Sequence, residues 1–553
     1  MRKLILLLSC LISSLFASSA QPNFVLIYVD DLDFDQISPY DHRKFPSYTG
    51  AKEVEGNYQT LTANQNGRFL KSGEHSWYKN SKMLTPHIQQ LANEGTRFDR
   101  FYVTSSTCTP SRYSLLTGKY ASKAPSVLRT SQDIEVPLIG WNSYLEANDA
   151  NLATELKKAG YKTALVGKWH LSDYELEGAD FHKGFKGHHD ISGLNKKLRP
   201  HQLTGAYFPP AADYGDREVQ KEIKRIYELM RQRVLRDSGF DIVDRLYYTN
   251  YESLPLPKHM KCHNLEWVTE GGLNFIDDNA HQAFFLYLSL TAPHGQYFED
   301  WVTRDWRASP EGMLKEKPQG MPSRSEIISA VQQAGLPLQN SMATWLDASV
   351  GSILEKLKEK GIAENTIVLF ISDHQSRGKL TAFEAHRVPA IIKWPKKKPS
   401  ISKALCSNID VMPTLLKAVG LKMKGNGMDF APLFDGQTEL RKSLLLETGY
   451  SRAVIMGDWK YIANRPPNEV KAKMKEDSNS PKRHIGWSGR KINPTSGWGV
   501  RFNADKDFPH YFDSDQVYDL SKDIFEQRNL FDKPEYAAKR KELQEELDRL
   551  LDK

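Results

Sequence analysis

Four apolar runs, each ending abruptly in polar residues, constrain the fold of this chain more than any other feature. Asn23 to Val29 (NFVLIYV) stops at Asp30-Asp31, and Tyr161 to Gly167 (YKTALVG) stops at Lys168. Phe284 to Leu290 (FFLYLSL) is followed by Thr291-Ala292-Pro293-His294, and Thr366 to Ser372 (TIVLFIS) by Asp373-His374. Runs without polar alternation suit strands buried on both faces, the condition of a parallel sheet covered by helices. The intervening sequence supplies such helices. Thr85-Pro86 opens and Gly95 closes PHIQQLANE, and Asn151 to Ala159 is stopped by Gly160. Ser341 to Lys360 carries Leu346, Val350, Ile353, Leu354 and Leu357 along one face. Alternating helix and strand predicts an α/β fold, a large and mostly parallel sheet sandwiched by helices. Ligands of such sheets gather at the carboxyl ends of the strands, so the four polar stops form one candidate site.

Composition excludes several classes. With 40% hydrophobic and 26% charged residues the 553-residue chain has material for a core, which rules out wholesale disorder. Its net charge of +7, from 75 basic and 68 acidic residues, is too mild and too interspersed to argue for nucleic acid. No run of about 18 apolar residues follows the N-terminus, so no membrane span is expected. The first 20 residues read as a secretory signal peptide: Arg2 and Lys3, an apolar run from Leu4 to Phe16, then Ser18-Ser19-Ala20. The expectation is a secreted or periplasmic protein. Cys108, Cys262 and Cys406 remain after cleavage, and Cys262 with Cys406 is the pair that could bridge.

The pattern sets residues 21–437 apart as a catalytic domain and 438–553 as a smaller C-terminal α+β subdomain. The latter holds strand-like Ala453 to Met456 and Trp459 to Ile462 and a terminal helix from Pro534 to Leu551. Between about 190 and 261 the alternation loosens around a basic amphipathic helix, Asp216 to Arg236, and reads as an insertion.

The densest chemistry lies in Cys108-Thr109-Pro110-Ser111-Arg112, followed by Leu116-Thr117-Gly118. Pro110 suits the first turn of a helix, which places Cys108 where free backbone N–H groups favour an anion, and Arg112 adds a planar cation. Taken alone, this describes a low-pKa cysteine nucleophile or a buried structural thiol. CTPSR with LTG behind it resembles the sulfatase signature, in which the cysteine becomes formylglycine and its hydrated aldehyde is the nucleophile. The resemblance spans nearly the whole mature chain. Asp30-Asp31 match the family's metal pair, Gly167-Lys168-Trp169-His170 its GKWH block, Ala292-Pro293-His294 its APH block, and Asp373 with His374 its second metal pair. Arg377-Gly378-Lys379, with Glu384 and Arg387-Val388-Pro389, resembles the later lysine motif.

The resemblance implies an alkaline phosphatase-like fold and a sulfatase acting on a sulfated saccharide. It implies a calcium ion on Asp30, Asp31, Cys108 (as formylglycine), Asp373 and His374, and a maturation enzyme that generates formylglycine. Lys168 and Lys379 would neutralise the sulfate, Arg112 and His170 would orient and activate the nucleophile, and His294 would protonate the leaving alcohol. The hard oxygen donors are what such chemistry needs. Two features depart from the common pattern: His374 stands where many members have Asn, and only four residues separate it from Lys379.

A phosphodiesterase or phosphonate monoester hydrolase of the same superfamily would share this pocket, and so would a non-catalytic binder of sulfated glycans. Lys196, Lys197, Arg199 and His201, or Arg483, His484, Trp487, Arg490 and Trp498, are candidate sugar or sulfate contacts, set against the ordinary reading of solvated charges and packing tryptophans.

Overall fold

The computed structural model describes residues 21–33, 37–40, 83–130, 137–172, 215–294, 301–336, 338–375, 381, 385–468, 471–472, 485–486, 490–491, 510, 513–523 and 526–552. The expected signal peptide, Lys379 with Arg377 and Glu384, and the candidate contacts Lys196, Lys197, Arg199, His201, Arg483, His484, Trp487 and Trp498 lie outside these described residues.

An eight-stranded sheet organises the molecule. Its strands in chain order are β1 (Asn23–Val29), β2 (Thr96–Phe98), β3 (Lys162–Lys168), β4 (Ile242–Tyr247), β5 (Phe284–Ser289), β6 (Thr366–Ser372), β7 (Ala390–Lys393) and β8 (Ser400–Ser402). The spatial order is β8-β2-β7-β6-β1-β5-β3-β4. Only β7 runs against its neighbours; the other pairings are parallel. All seven residues of β1 and of β6 are buried, so successive side chains meet protein on both sides of the sheet, as their continuous apolar sequence requires. The three central strands β6, β1 and β5 end side by side, which brings Asp30, Asp373 and the Thr291–His294 turn to one edge.

Two groups of helices cover the sheet. One contains α1 (Pro86–Glu94), α5 (Leu265–Asn279) and α6 (Ser341–Glu359); the other contains α2 (Cys108–Thr117) and α3 (Leu152–Lys158). The start of α1 is capped in an unexpected way. The Thr85 hydroxyl turns to Ser38, and the Asp347 carboxylate of α6 instead accepts the N–H groups of His87 (3.1 Å) and Ile88 (2.7 Å). Asn151, taken from the sequence as the first helical residue, instead caps α3, in a capping box with Thr154.

Within the segment set apart as an insertion, α4 (Arg217–Ser238) starts at Asp216 and buries Ile223, Ile226, Met230 and Val234. Strand β4 corrects the insertion reading: Ile242–Tyr247 pairs with β3 as the edge of the main sheet. An edge strand keeps one face half open, so its Asp244 and Arg245 broke the apolar run.

The C-terminal sheet is an antiparallel meander, β9 (Ser443–Thr448), β10 (Ser451–Met456), β11 (Trp459–Asn464) and β12 (Asp515–Asp519). Side-chain alternation splits its two faces. Leu444, Leu446, Ala453, Ile455 and Ile462 join the main core, while Leu445, Val454, Tyr461 and Val517 pack with Leu543 and Leu547 of the terminal helix α7 (Ala537–Leu551). Lys460 and Glu526, both without solvent exposure, pair at 2.6 Å beneath it. The Cys262–Cys406 bridge is not formed: both are buried free thiols, and burial pushes the Cys262 thiol up to about 11. No helix among the described residues is long and apolar enough to cross a membrane.

Candidate active site

Each candidate residue among those described enters the site from beyond the end of a strand or from the first turns of a helix. Asp30 and Asp31 leave β1, with Asp31 at φ 61°, a left-handed conformation uncommon outside glycine. The Asp31 N–H donates to Asp373 Oδ1 (3.1 Å), and the Asp373 N–H donates to the Val29 carbonyl (2.8 Å), so the two strand ends are laced together. Cys108 is the first residue of α2 and 3% exposed.

The structure brings Asp30, Asp31, Cys108 and His374 into one buried cluster whose donor atoms all lie within 4.8 Å of one another. Nε2 of His374 stands 3.1 Å from the Cys108 sulfur, and its Nδ1 lies 2.9 Å from Asp31 Oδ1. Asp373 sits beside this cluster: its Oδ1 accepts from the Asp31 amide and lies 3.5 Å from Nε2 of His374, while its Oδ2 pairs with Arg112 Nη2 at 3.0 Å. Arg112 is fully buried. It donates through Nη1 to Ser289 Oγ (2.6 Å) and Tyr287 Oη (3.2 Å), and its guanidinium lies over the Tyr28 ring.

Lys168 reaches the cluster through a bulge. The β3–β4 register shifts between Val166 and Lys168, and Gly167 at φ 101° makes this possible. A Cβ there would lie 2.1 Å from the Ser289 carbonyl oxygen. Lys168 Nζ pairs with Asp30 Oδ2 and donates to Asn250 Oδ1 at 2.5 Å. His170, at φ 59°, is buried two residues on, and its N–H donates to the Tyr248 carbonyl (3.0 Å). Burial, reinforced by the Lys168 and Arg112 charges, drives its pKa well below the usual imidazole range, so it is neutral.

His294 completes the group. Its Nδ1 lies 3.3 Å from Asp31 Oδ2, and its Nε2 faces the half-exposed Glu252 carboxylate at 3.6 Å. Its backbone carbonyl accepts from Nε2 of His263 (2.9 Å), whose Nδ1 then accepts from the Thr291 hydroxyl (2.8 Å). Burial lowers the His263 pKa to about 3, which keeps this ring neutral.

Charge is concentrated at this edge of the sheet. Three buried carboxylates, Asp30, Asp31 and Asp373, face the buried cations Lys168 and Arg112. Burial alone would raise the Asp30 pKa, but His294, Lys168 and Arg112 outweigh it and hold Asp30 ionised; burial and the Asp30 charge push Asp373 upward. Asp30 Oδ1 has no hydrogen-bond donor among the described residues. A divalent cation fits the orphaned Asp30 oxygen and this oxygen-rich donor set with one imidazole.

Sequence reasoning missed Asn250, Ser111, Tyr28, Ser289 and His263. The Ser111 hydroxyl donates to the Asp373 carbonyl (2.5 Å), and Asn408 Nδ2 donates to the Ser111 carbonyl (2.8 Å). Ser111 stood inside the CTPSR motif and could have been singled out there; the others carry no local signal. Of Arg490, only the backbone is described, in a two-residue strand.

A helix-start thiol closes on strand-end carboxylates at the carboxyl edge of a mostly parallel sheet, the arrangement that the sequence resemblance to sulfatases implied. The sulfatase family model matches residues 22–421. The chain belongs to the sulfatase family and is a sulfuric ester hydrolase. An N-acetylglucosamine-6-O-sulfatase of Bacteroides thetaiotaomicron is 25% identical over 543 residues, covering 87% of this chain and 85% of its own. Human arylsulfatase A is 26% identical over 544 residues, covering 93% of this chain and 84% of its own. A solved chain described under the metabolism of multiple glycosaminoglycans by Bacteroides thetaiotaomicron shares the fold at a TM-score of 0.55 and 20% identity, over 97% of this chain and 100% of that one.

Proposed function

We propose that this protein, exported from the cytoplasm, hydrolyses the sulfate ester of a sulfated saccharide after a maturation enzyme has converted Cys108 to formylglycine. The observation that carries the reading is the Cys108 sulfur at the head of α2, 3.1 Å from His374 and clustered with Asp30 and Asp31. The saccharide is supported by the similarity to an N-acetylglucosamine-6-O-sulfatase. Asp30, Asp31, Asp373 and His374 would hold a calcium ion. When both groups are in place, formylglycine supplies the nucleophilic oxygen and the cation draws charge from the sulfate oxygens.

The chain's own side chains account for the rest. Lys168 binds a sulfate oxygen with the N–H left over from Asp30, and Lys379 is the second lysine assigned to the sulfate. Arg112 fixes Asp373 and the strand ends around the nucleophile. Neutral His170 takes the nucleophile's proton, and His294 delivers one from Nε2, the nitrogen on the Glu252 side, to the departing alcohol. Burial of every described site residue keeps bulk water from competing.

The test is turnover of 4-nitrophenyl sulfate against bis(4-nitrophenyl) phosphate, on protein produced with a formylglycine-generating enzyme, with mass analysis of the peptide spanning 108–112. Preference for the sulfate, lost on chelation by EGTA and restored by calcium, is the expected result. Faster turnover of the phosphate diester, or full sulfatase activity with an unmodified thiol, would overturn the reading.

A further inference from the structure

We propose that Asn250 is a positioning residue that aims the Lys168 ammonium at the sulfate; this rests on the proposed sulfatase site. The chain beyond β4 runs alongside the chain beyond β3. Trp169 N–H donates to the Tyr247 carbonyl (2.8 Å) and His170 N–H to the Tyr248 carbonyl (3.0 Å), so two residues later Asn250 is delivered against Lys168. Asn250 begins a short 3₁₀ turn, Tyr251–Ser253, but its side chain does not cap that turn. Its Oδ1 instead accepts from Lys168 Nζ at 2.5 Å.

The consequence follows from the donor count of an ammonium. Lysine offers three N–H groups on a rotating head, which alone gives no directional preference. Asp30 takes one and Asn250 a second, from different strands of the sheet. Two fixed acceptors stop the rotation and leave one N–H in a single direction. Asp30 without Asn250 would leave Nζ, on its flexible four-carbon stem, free to swing about that one contact. Because Lys168 is fully buried, water does not supply the missing acceptor.

Asn250→Leu keeps the size of the side chain and removes the acceptor. It is compared with the unsubstituted protein in the wild-type and Lys168→Ala backgrounds, using 4-nitrophenyl sulfate. The expected loss in kcat/KM is about 10- to 100-fold, the scale of a hydrogen bond to a charged group. No further loss is expected in the Lys168→Ala background, because nothing remains to aim. Calorimetric binding of inorganic sulfate to calcium-loaded Cys108→Ala protein should weaken severalfold on adding Asn250→Leu. An equal loss in both backgrounds marks a general structural effect and overturns the proposal, as does unchanged activity. Should Asn250→Leu fail to fold, Asn250→Ala enters the same cycle. If the unsubstituted protein binds sulfate but turns over no sulfate ester, the sulfatase reading falls, and the binding comparison alone decides the role of Asn250. Absence of both sulfate binding and turnover overturns both.

Discussion

The Cys108 sulfur and Nε2 of His374 stand 3.1 Å apart across 266 positions of sequence, both fully enclosed by protein. A thiol with an ordinary packing role has no need of an imidazole and two carboxylates around it. Cys108→Ser is therefore expected to abolish turnover of 4-nitrophenyl sulfate while leaving the thermal unfolding midpoint close to that of the parent, since one small polar group replaces another. Retained activity would remove Cys108 from the chemistry.

His294 faces outward through Nε2 and is fastened from behind by His263. An acid in that position matters most when the leaving alcohol is a poor one. His294→Ala should slow a sugar sulfate by about 10²- to 10⁴-fold and an activated aryl sulfate far less. Steady-state rates on the two esters decide the matter, and equal losses would exclude an acid role.

Gly167 and Gly160 make a matched pair. Both have positive φ, but a Cβ on Gly160 meets nothing within 4 Å, whereas one on Gly167 runs into the Ser289 carbonyl. Gly160→Ala should cost about 1 kcal/mol of stability and leave kcat unchanged. Gly167→Ala carries similar strain but must also displace the bulge that presents Lys168, so kcat/KM should fall with stability. Comparing the two by calorimetry and turnover separates strain from displacement.

Lys460 and Glu526 form a buried ion pair. Lys460→Met leaves the Glu526 carboxylate without its counter-charge, a loss of about 3–5 kcal/mol. The unfolding midpoint should drop sharply, while activity well below that midpoint stays near the parent's. Lys460→Met with Glu526→Leu should recover much of the difference, measured by the same melts.

Burial pushes the Asp347 carboxyl up to about 7, against the opposing pull of the two α1 N–H groups it accepts. The folded state thus holds this proton more tightly than the unfolded chain does. Its contribution is complete below about pH 4 and is lost as pH rises through about 7. Asp347→Asn should flatten that part of the stability profile, observed as unfolding midpoints from pH 4 to 8.

The strands nearest the site were legible because they are the most deeply covered. NFVLIYV and TIVLFIS correspond residue for residue to β1 and β6, since a strand enclosed on both faces tolerates no polar interruption. The same logic hid β4, whose Asp244 and Arg245 occupy a half-open edge, and it left Asn250 looking like any loop residue. The helix start at Thr85 was legible while its cap was not: Asp347 arrives from about 260 positions away, which no local pattern encodes. Asp30, Asp31, Asp373 and His374 were legible as strand-end polar stops, but that Asp373 shares itself between His374 and Arg112 depends on tertiary packing.

The end of β9 lies against the loop that leads into α2: Glu447 N–H donates to the Thr104 carbonyl (2.8 Å), and the Ser106 and Thr448 hydroxyls meet at 3.0 Å. The loop that leads to Cys108 is thus braced by chain that a ribosome delivers more than three hundred residues later. The surroundings of position 108 are therefore complete only once the last quarter of the polypeptide has docked.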